Sequence, residues 1–178
     1  DSHKADSAFL YFLKAKDFAI SQKDSLIAGV SLLNLAIIAA DRRDDLTSQE
    51  FALTALAYFN KKNEKHHLYL SSNYNCLGKA SQNLRDYSNA IIFYDQAIKF
   101  SKNTSDINLY LNNKAYLYQE TKQYQKALEI YNKLEKATFD DKLEYAMALS
   151  NASFNKWLLN PNYNVLPELL KALQIREE

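Results

Sequence analysis

The most reactive side chains in this 178-residue chain are two adjacent histidines and one cysteine. On a helix, neighbouring residues such as His66 and His67 point about 100° apart, so the two cannot face one metal as an i, i+4 pair would. They read as surface histidines. Cys76 has no histidine close to it in sequence and sits in the middle of a helical stretch, so it reads as a small core or groove-lining residue and not as a nucleophile. A G-x-S-x-G elbow, an H-E-x-x-H pair, a C-x-x-C pair and a Gly-rich phosphate loop are all missing from the sequence. The carboxylates are scattered over helix caps and surface positions. The sequence therefore predicts no catalytic residue, no metal, no cofactor and no enzyme in this segment.

Aromatic residues are abundant, with 13 Tyr and 9 Phe. Such rings can stack single-stranded nucleic acid, but only when basic residues interleave with them. Here Lys+Arg 22 nearly cancels Asp+Glu 21, leaving +1. No bulk field draws the chain to nucleic acid or anionic lipid, and no 18-residue apolar run offers a membrane span. Core packing is the expected role of the rings. A single cysteine cannot form an internal disulfide, which fits a reducing cytosol without excluding a disulfide-free periplasmic protein. With no initiating Met and no signal peptide, the chain reads as a processed protein or a piece of a longer array.

What must position these residues is almost entirely helix. Only 2 Gly and 2 Pro are present, which argues against a turn-rich sandwich or a Rossmann unit. Self-similarity then sets the architecture. A triad spaced i, i+4, i+7 recurs as Ala8, Phe12, Ala15; Ser48, Ala52, Ala55; Ala90, Tyr94, Ala97; Ala127, Tyr131, Leu134; and Val165, Leu169, Ala172. Its period of about 40 residues means stacked supersecondary units. Small residues at i and i+7 let a helix lie close against its neighbours, because those positions share one face. The period predicts about nine antiparallel helices, near 6–22, 25–41, 44–60, 64–83, 87–101, 105–121, 124–137, 140–158 and 163–176. Expected N-caps are Asp24 or Ser25, Asp44, Asp86, Thr104 or Ser105, and Asp140. Pro161 and Pro167 fall beside the last helix, where a missing N–H is tolerated.

Tyr74, Leu77 and Gly78, followed by Tyr87, Ala90, Tyr94 and Ala97, resemble the W-x2-L-G-x2-Y…A-x3-F/Y pattern of the tetratricopeptide repeat. A second copy around Ala115, Tyr124, Ala127 and Tyr131 is nearly as good, while the ends of the chain match less well. The resemblance implies an all-α fold, a right-handed α-α superhelix or tetratricopeptide solenoid. It is read as one array over 1–178, with 6–22 the unpaired second helix of a truncated repeat and hairpins at 25–60, 64–101, 105–137 and 140–176. A softer resemblance, carried by the long period and by the texture of the two ends, is to the repeat regions of bacterial sensor histidine kinases and helix-turn-helix regulators. It implies a sensory or scaffolding role on the periplasmic side of a membrane, or alternatively in the cytoplasm. The alternatives in function are a cytoplasmic regulator that binds a short signalling peptide and a pure assembly scaffold.

In the tetratricopeptide family the first helix of each repeat lines a concave groove. The resemblance thus implies groove contacts at Asn34, Ile37, Ser72, Asn75, Lys79, Gln82, Leu109, Asn112, Asn113, Tyr116, Gln119, Asn151 and Phe154. Side-chain amides carry both donor and acceptor, which suits the backbone of an extended peptide. The same amides, Asn34, Asn113 and Asn151 above all, suit packing between repeats. Repeats that grip a C-terminal carboxylate place Lys, Asn and Arg in the groove. The matching positions here are Leu33 or Asn75, Ser72 or Leu109, and Asn113 or Asn151, none of them basic. The expected partner is a neutral or mildly polar protein or extended peptide, with no membrane insertion and with self-association through the terminal helices as a further expectation.

Overall fold

The computed structural model describes residues 2–137 and 141–177. Among these the chain is helical throughout, with no strand. In order it forms α1 (Ser2–Ser21), α2 (Ser25–Asp41), α3 (Asp45–Leu56), a short 3-10 turn (Glu64–His66), α4 (His67–Asn83), α5 (Tyr87–Phe100), α6 (Thr104–Glu120), α7 (Tyr124–Leu134), α8 (Lys142–Leu159) and α9 (Leu166–Glu177). Where the sequence reads one array, the chain divides into two compact units, Asp1–Ser101 and Lys102–Glu178. In the first, each of α1 to α5 packs on the next and α2 also meets α4. In the second, α6, α7, α8 and α9 do the same and α6 meets α8. Helical hairpins stacked through their first helices are thus the building plan within each unit.

Four turns share one geometry. Lys23, Arg43, Arg85 and Lys122 all have positive φ, near 60°, although none is glycine. Each follows a helix end, and the next residue's N–H reaches back five positions: Asp24 to Ala19 O, Asp44 to Ala39 O, Asp86 to Ser81 O and Gln123 to Tyr118 O, at 2.7 to 3.0 Å. Together with the shorter bonds from the positive-φ residues themselves, this is the Schellman closure of a helix C-terminus. In all four the next residue is also an N-cap, and in three its side chain makes the capping bond. The carboxylates of Asp24, Asp44 and Asp86 accept from the N–H of Ile27, Thr47 and Asn89. Hydrogen bonds from Thr47, side chain first and backbone second, hold Asp44 below the usual carboxylate range. The cap is therefore intact above the ordinary carboxylate pKa and is lost as pH falls through the depressed folded value.

Two other caps differ from expectation. The start of α6 is capped by Asn103, whose side chain accepts from Ser105 N–H at 2.8 Å, and not by Thr104 or Ser105. Set one residue earlier, the Asn103 amide reaches the free N–H groups that a residue already inside the helix cannot. The expected cap Asp140 lies outside the described residues, and Asp141 caps α8 through Leu143 and Glu144 N–H. The helix expected to run to residue 60 ends at Leu56. The connection after it is tied down by the two histidines. Asn60 N–H donates to His66 Nδ1 at 3.1 Å, and His67 Nε2 lies 2.9 Å from Lys61 O.

The core follows the triads. Ser48, Ala52 and Ala55, then Ala90, Tyr94 and Ala97, then Ala127, Tyr131 and Leu134 are all buried to within 1%. The outermost triads are less sealed: Ala8, Phe12 and Ala15 are half-buried, and Leu169 is 39% exposed although Ala172 is buried. Both glycines are used for close approach. A Cβ on Gly78 would lie 2.6 Å from the Tyr94 ring, and one on Gly29 would lie 2.7 Å from the Phe59 ring. The second triad has no aromatic of its own, and Phe59, from beyond the end of α3, supplies the ring instead. It stacks on Tyr69 with an interplanar angle of 9° and meets His66 edge-on.

Two substitutions test this account. Gly78→Ala forces the Tyr94 ring outward and should lower stability by about 1–3 kcal/mol in urea unfolding. Arg85→Gly relieves the left-handed backbone at an exposed turn and should raise stability by about 0.5–1 kcal/mol, the loss of strain outweighing the added chain entropy.

Candidate functional site

The reactive side chains are built into the scaffold. His66 is 8% exposed, so the expectation of a surface residue fails for it. Its ring nitrogen is consumed by the Asn60 N–H, which fixes the α3–α4 connection. His67 is half-buried against the Phe100 ring, with centroids 5.1 Å apart. Among the described residues no group of three or more His, Cys, Asp or Glu is placed to hold a metal ion. Cys76 is buried on α4, its sulfur 3.5 Å from Ser48 Oγ across the α3–α4 contact. Burial pushes its thiol pKa up, partly offset by Ser48 and Lys79, so the thiolate a nucleophile needs is disfavoured.

The amides expected in a groove are all buried or half-buried. In the second unit the first helices α6 and α8 are joined by Asn151 Nδ2, which donates to Asn112 Oδ1 at 3.2 Å. Asn112 is buried and Asn151 half-buried. For Asn151 this bond between the first helices of two hairpins is the kind of contact that the packing reading expected. Beside them Tyr116 on α6 is 41% exposed and Phe154 on α8 is 48% exposed. Asn113 and Leu109 are half-buried, and Gln119 is buried. In the first unit, Ile37 and Lys79 are exposed, while Asn34, Ser72, Asn75 and Gln82 are half-buried. Several of these bond within their own hairpin. Asn34 Nδ2 donates to Val30 O, Ser72 Oγ donates to Leu68 O, and Gln82 Oε1 accepts from the Tyr94 hydroxyl at 2.8 Å.

Sequence reasoning missed two amides and one aromatic. Asn73 and Asn155 are completely buried. Asn73 Nδ2 donates to Ala52 O at 2.8 Å, and Asn155 Nδ2 to Tyr124 O at 3.1 Å. Each ties a first helix to the second helix of the preceding hairpin. They occupy different positions of the repeat, so no periodicity marks them. Trp157 stacks on Phe154 at 5.6 Å and is 40% exposed. With Val165 and Leu169 these two rings line an apolar cleft of about 270 Å³ between α8 and α9. The signal was present in the single tryptophan, but it stands at no triad position. Next to the cleft, Lys156 Nζ lies 2.5 Å from Glu135 Oε1 and 3.7 Å from Glu168 Oε1, fastening α9 and the end of α7 to α8. Partial burial works against its charge, but Glu135, Tyr163 and Glu168 outweigh that and hold its pKa above the ordinary lysine value. The Tyr163 hydroxyl donates to Glu168.

A model of the tetratricopeptide repeat matches residues 71–104 and 110–141. The first segment lies almost wholly in the first unit and the second in the second, and the fold class is the all-α tetratricopeptide class that the resemblance implies. Photosystem I assembly protein Ycf3 of Parasynechococcus marenigrum (strain WH8102) is 26% identical over 125 residues, 66% of this chain and 67% of that protein. The protein of the same name from Synechococcus sp. (strain CC9605) is 26% identical over 99 residues, 53% of this chain and 54% of its own. Both relatives are assembly proteins by name. The expected setting in a sensor histidine kinase or helix-turn-helix regulator, and with it the periplasmic location, gains no support from them. No helix among the described residues is long and apolar enough to cross a membrane.

The inert reading of Cys76 has a direct check. At pH 8 a disulfide reagent should label it only as fast as the chain opens, with labelling at model-thiol speed restored in urea. Rapid labelling of the folded chain would contradict the burial.

Proposed function

We propose that this chain is a protein-binding scaffold of the tetratricopeptide type, which holds a partner polypeptide while a larger complex is assembled. The observation that carries the reading is the surface of the second unit. An amide pair joins α6 to α8, exposed rings of Tyr116 and Phe154 flank it, and Trp157 lines an apolar cleft beside it. Apolar anchors beside hydrogen-bonding groups are what recognition of an extended or helical segment requires. The names of the assembly-protein relatives favour a scaffold over a signal receiver. In this reading Ile37, Lys79, Tyr116 and Phe154 contact the partner directly. Ser72, Asn75 and Asn113 contribute at the edges, and Asn34, Gln82, Asn112 and Asn151 hold the helices in register. No charged clamp takes part, so the partner is bound through apolar and main-chain groups.

Photo-crosslinking in cells tests the scaffold reading. A photoreactive phenylalanine at position 116 or 154 should give one discrete adduct with a protein. The adduct should fall at least several-fold with Trp157→Ala, and the same reporter at the exposed Leu46 should give none. In a pulse-chase experiment the adduct should appear early and decay as the complex matures. Equal adducts from all three positions, or an adduct that persists unchanged, would refute an assembly scaffold.

A further inference from the structure

We propose that Gln119 and Tyr131 form a subsite in the second unit for one backbone amide of the bound polypeptide, while the equivalent pair in the first unit is closed. The inference rests on the scaffold reading and specifies what part of the partner is read. In the register that aligns Ala90 with Ala127, Ala115 stands where Gly78 does, Gln119 where Gln82 does, and Tyr131 where Tyr94 does. In the first unit the pair is satisfied: the Tyr94 hydroxyl donates to Gln82 Oε1 at 2.8 Å. That bond depends on Gly78, since a Cβ there would come within 2.6 Å of the ring. Ala115 carries the Cβ. In the second unit Gln119 Oε1 and the Tyr131 hydroxyl are both buried and have no partner. With alanine in the place of glycine, the bond seen in the first unit is not made.

Buried polar atoms without partners are rare and destabilising, so a pair of them in one repeat calls for a function. Together they present one donor and one acceptor. The tyrosine hydroxyl can donate to a carbonyl oxygen, and Gln119 Oε1 can accept from an N–H. A secondary amide carries both groups and is common to every polypeptide, so the pair reads main chain without regard to side chain. That matches a partner selected without a charged clamp. Tyr116 precedes Gln119 by one turn of α6 and is 41% exposed. Burial first, and then the ring hydroxyl of Tyr116, raise the pKa of the Tyr131 hydroxyl. In the proposal that ring is the cover which the incoming chain displaces.

Tyr131→Phe and Tyr94→Phe in the full chain separate the two pairs. Both are followed by thermal melting and by fluorescence polarisation with labelled, uncharged 12-residue peptides. Tyr94→Phe strands Gln82 and should lower the melting temperature by a few degrees, with peptide binding unchanged. Tyr131→Phe removes a hydroxyl that has no partner in the free protein, so the melting temperature should hold or rise. Its binding of the best peptide should weaken about 5–10-fold, the value of one hydrogen bond. Methylating that peptide's backbone nitrogens one at a time should find one position that weakens binding to the native chain but not to Gln119→Leu. A fall in melting temperature for Tyr131→Phe would mean the hydroxyl is satisfied inside the protein, by water or by Gln119, and would overturn the subsite. Unchanged binding by Tyr131→Phe would overturn it too. In that case loss of binding in Trp157→Ala leaves the scaffold reading standing, while a native chain that binds none of the peptides removes both.

Discussion

One contact recurs in every hairpin whose interior is sealed: an aromatic ring pressed against a small residue on the first helix. Phe59 lies on Gly29, Tyr94 on Gly78, and Tyr131 shares a buried cluster with Ala115. A ring this close brings the two helices near enough for the alanines of the triad to be buried completely. Because the inner face of each first helix is spent on the ring, its other side is left to meet the next first helix or solvent. The α2–α4 and α6–α8 contacts, and the exposed Ile37, Lys79, Tyr116 and Phe154, follow from that division. The surface available for recognition is what remains after the ring has been accommodated.

Glycine is so scarce that the fold has to choose where to use it. Both glycines serve helix packing, and the left-handed turns that usually take glycine are made by Lys23, Arg43, Arg85 and Lys122. Strain at a solvent-facing turn is tolerable because the backbone groups there are satisfied by the Schellman bonds and by the Asp caps that follow. At a helix contact no such relief exists, because a Cβ would come within 2.7 Å of a packed ring that must shift to admit it. The difference between Gly78 and Ala115 shows the consequence: one methyl group separates a closed Tyr–Gln hydrogen bond from two buried atoms without partners.

The outermost helices lack the neighbour that seals the inner ones. On α9 only Ala172 is buried, and Leu166, Leu170 and Leu173 are each more than half exposed. Its hold on α8 comes from a small apolar cluster of Ala146, Leu149 and Ala172 and from the Lys156 ion pairs. These pairs are part-buried but still screened by water, so each contributes modestly. The cleft at Trp157 therefore sits against the least firmly held helix of its unit, and such elements open at lower free energy than the core.

By itself the sequence determined the helical class and the core residues of the three inner triads, because those depend on periodicity and on side-chain size at fixed spacing. It also marked three of the N-caps, since an aspartate ahead of an apolar-periodic run has a local reason to be there. Only the tertiary structure decided what each amide bonds to. Asn73, Asn112, Asn151 and Asn155 are chemically alike and all sit on first helices, yet their roles are set by which carbonyl or amide a neighbouring helix brings within about 3 Å. The structure also turned two histidines into ties for a connection, recruited Phe59 from outside its triad, and gathered Trp157 and Phe154 into one cleft. Periodicity reports which face of a helix is buried; whether a polar atom on that face finds a partner depends on contacts between residues far apart in the chain.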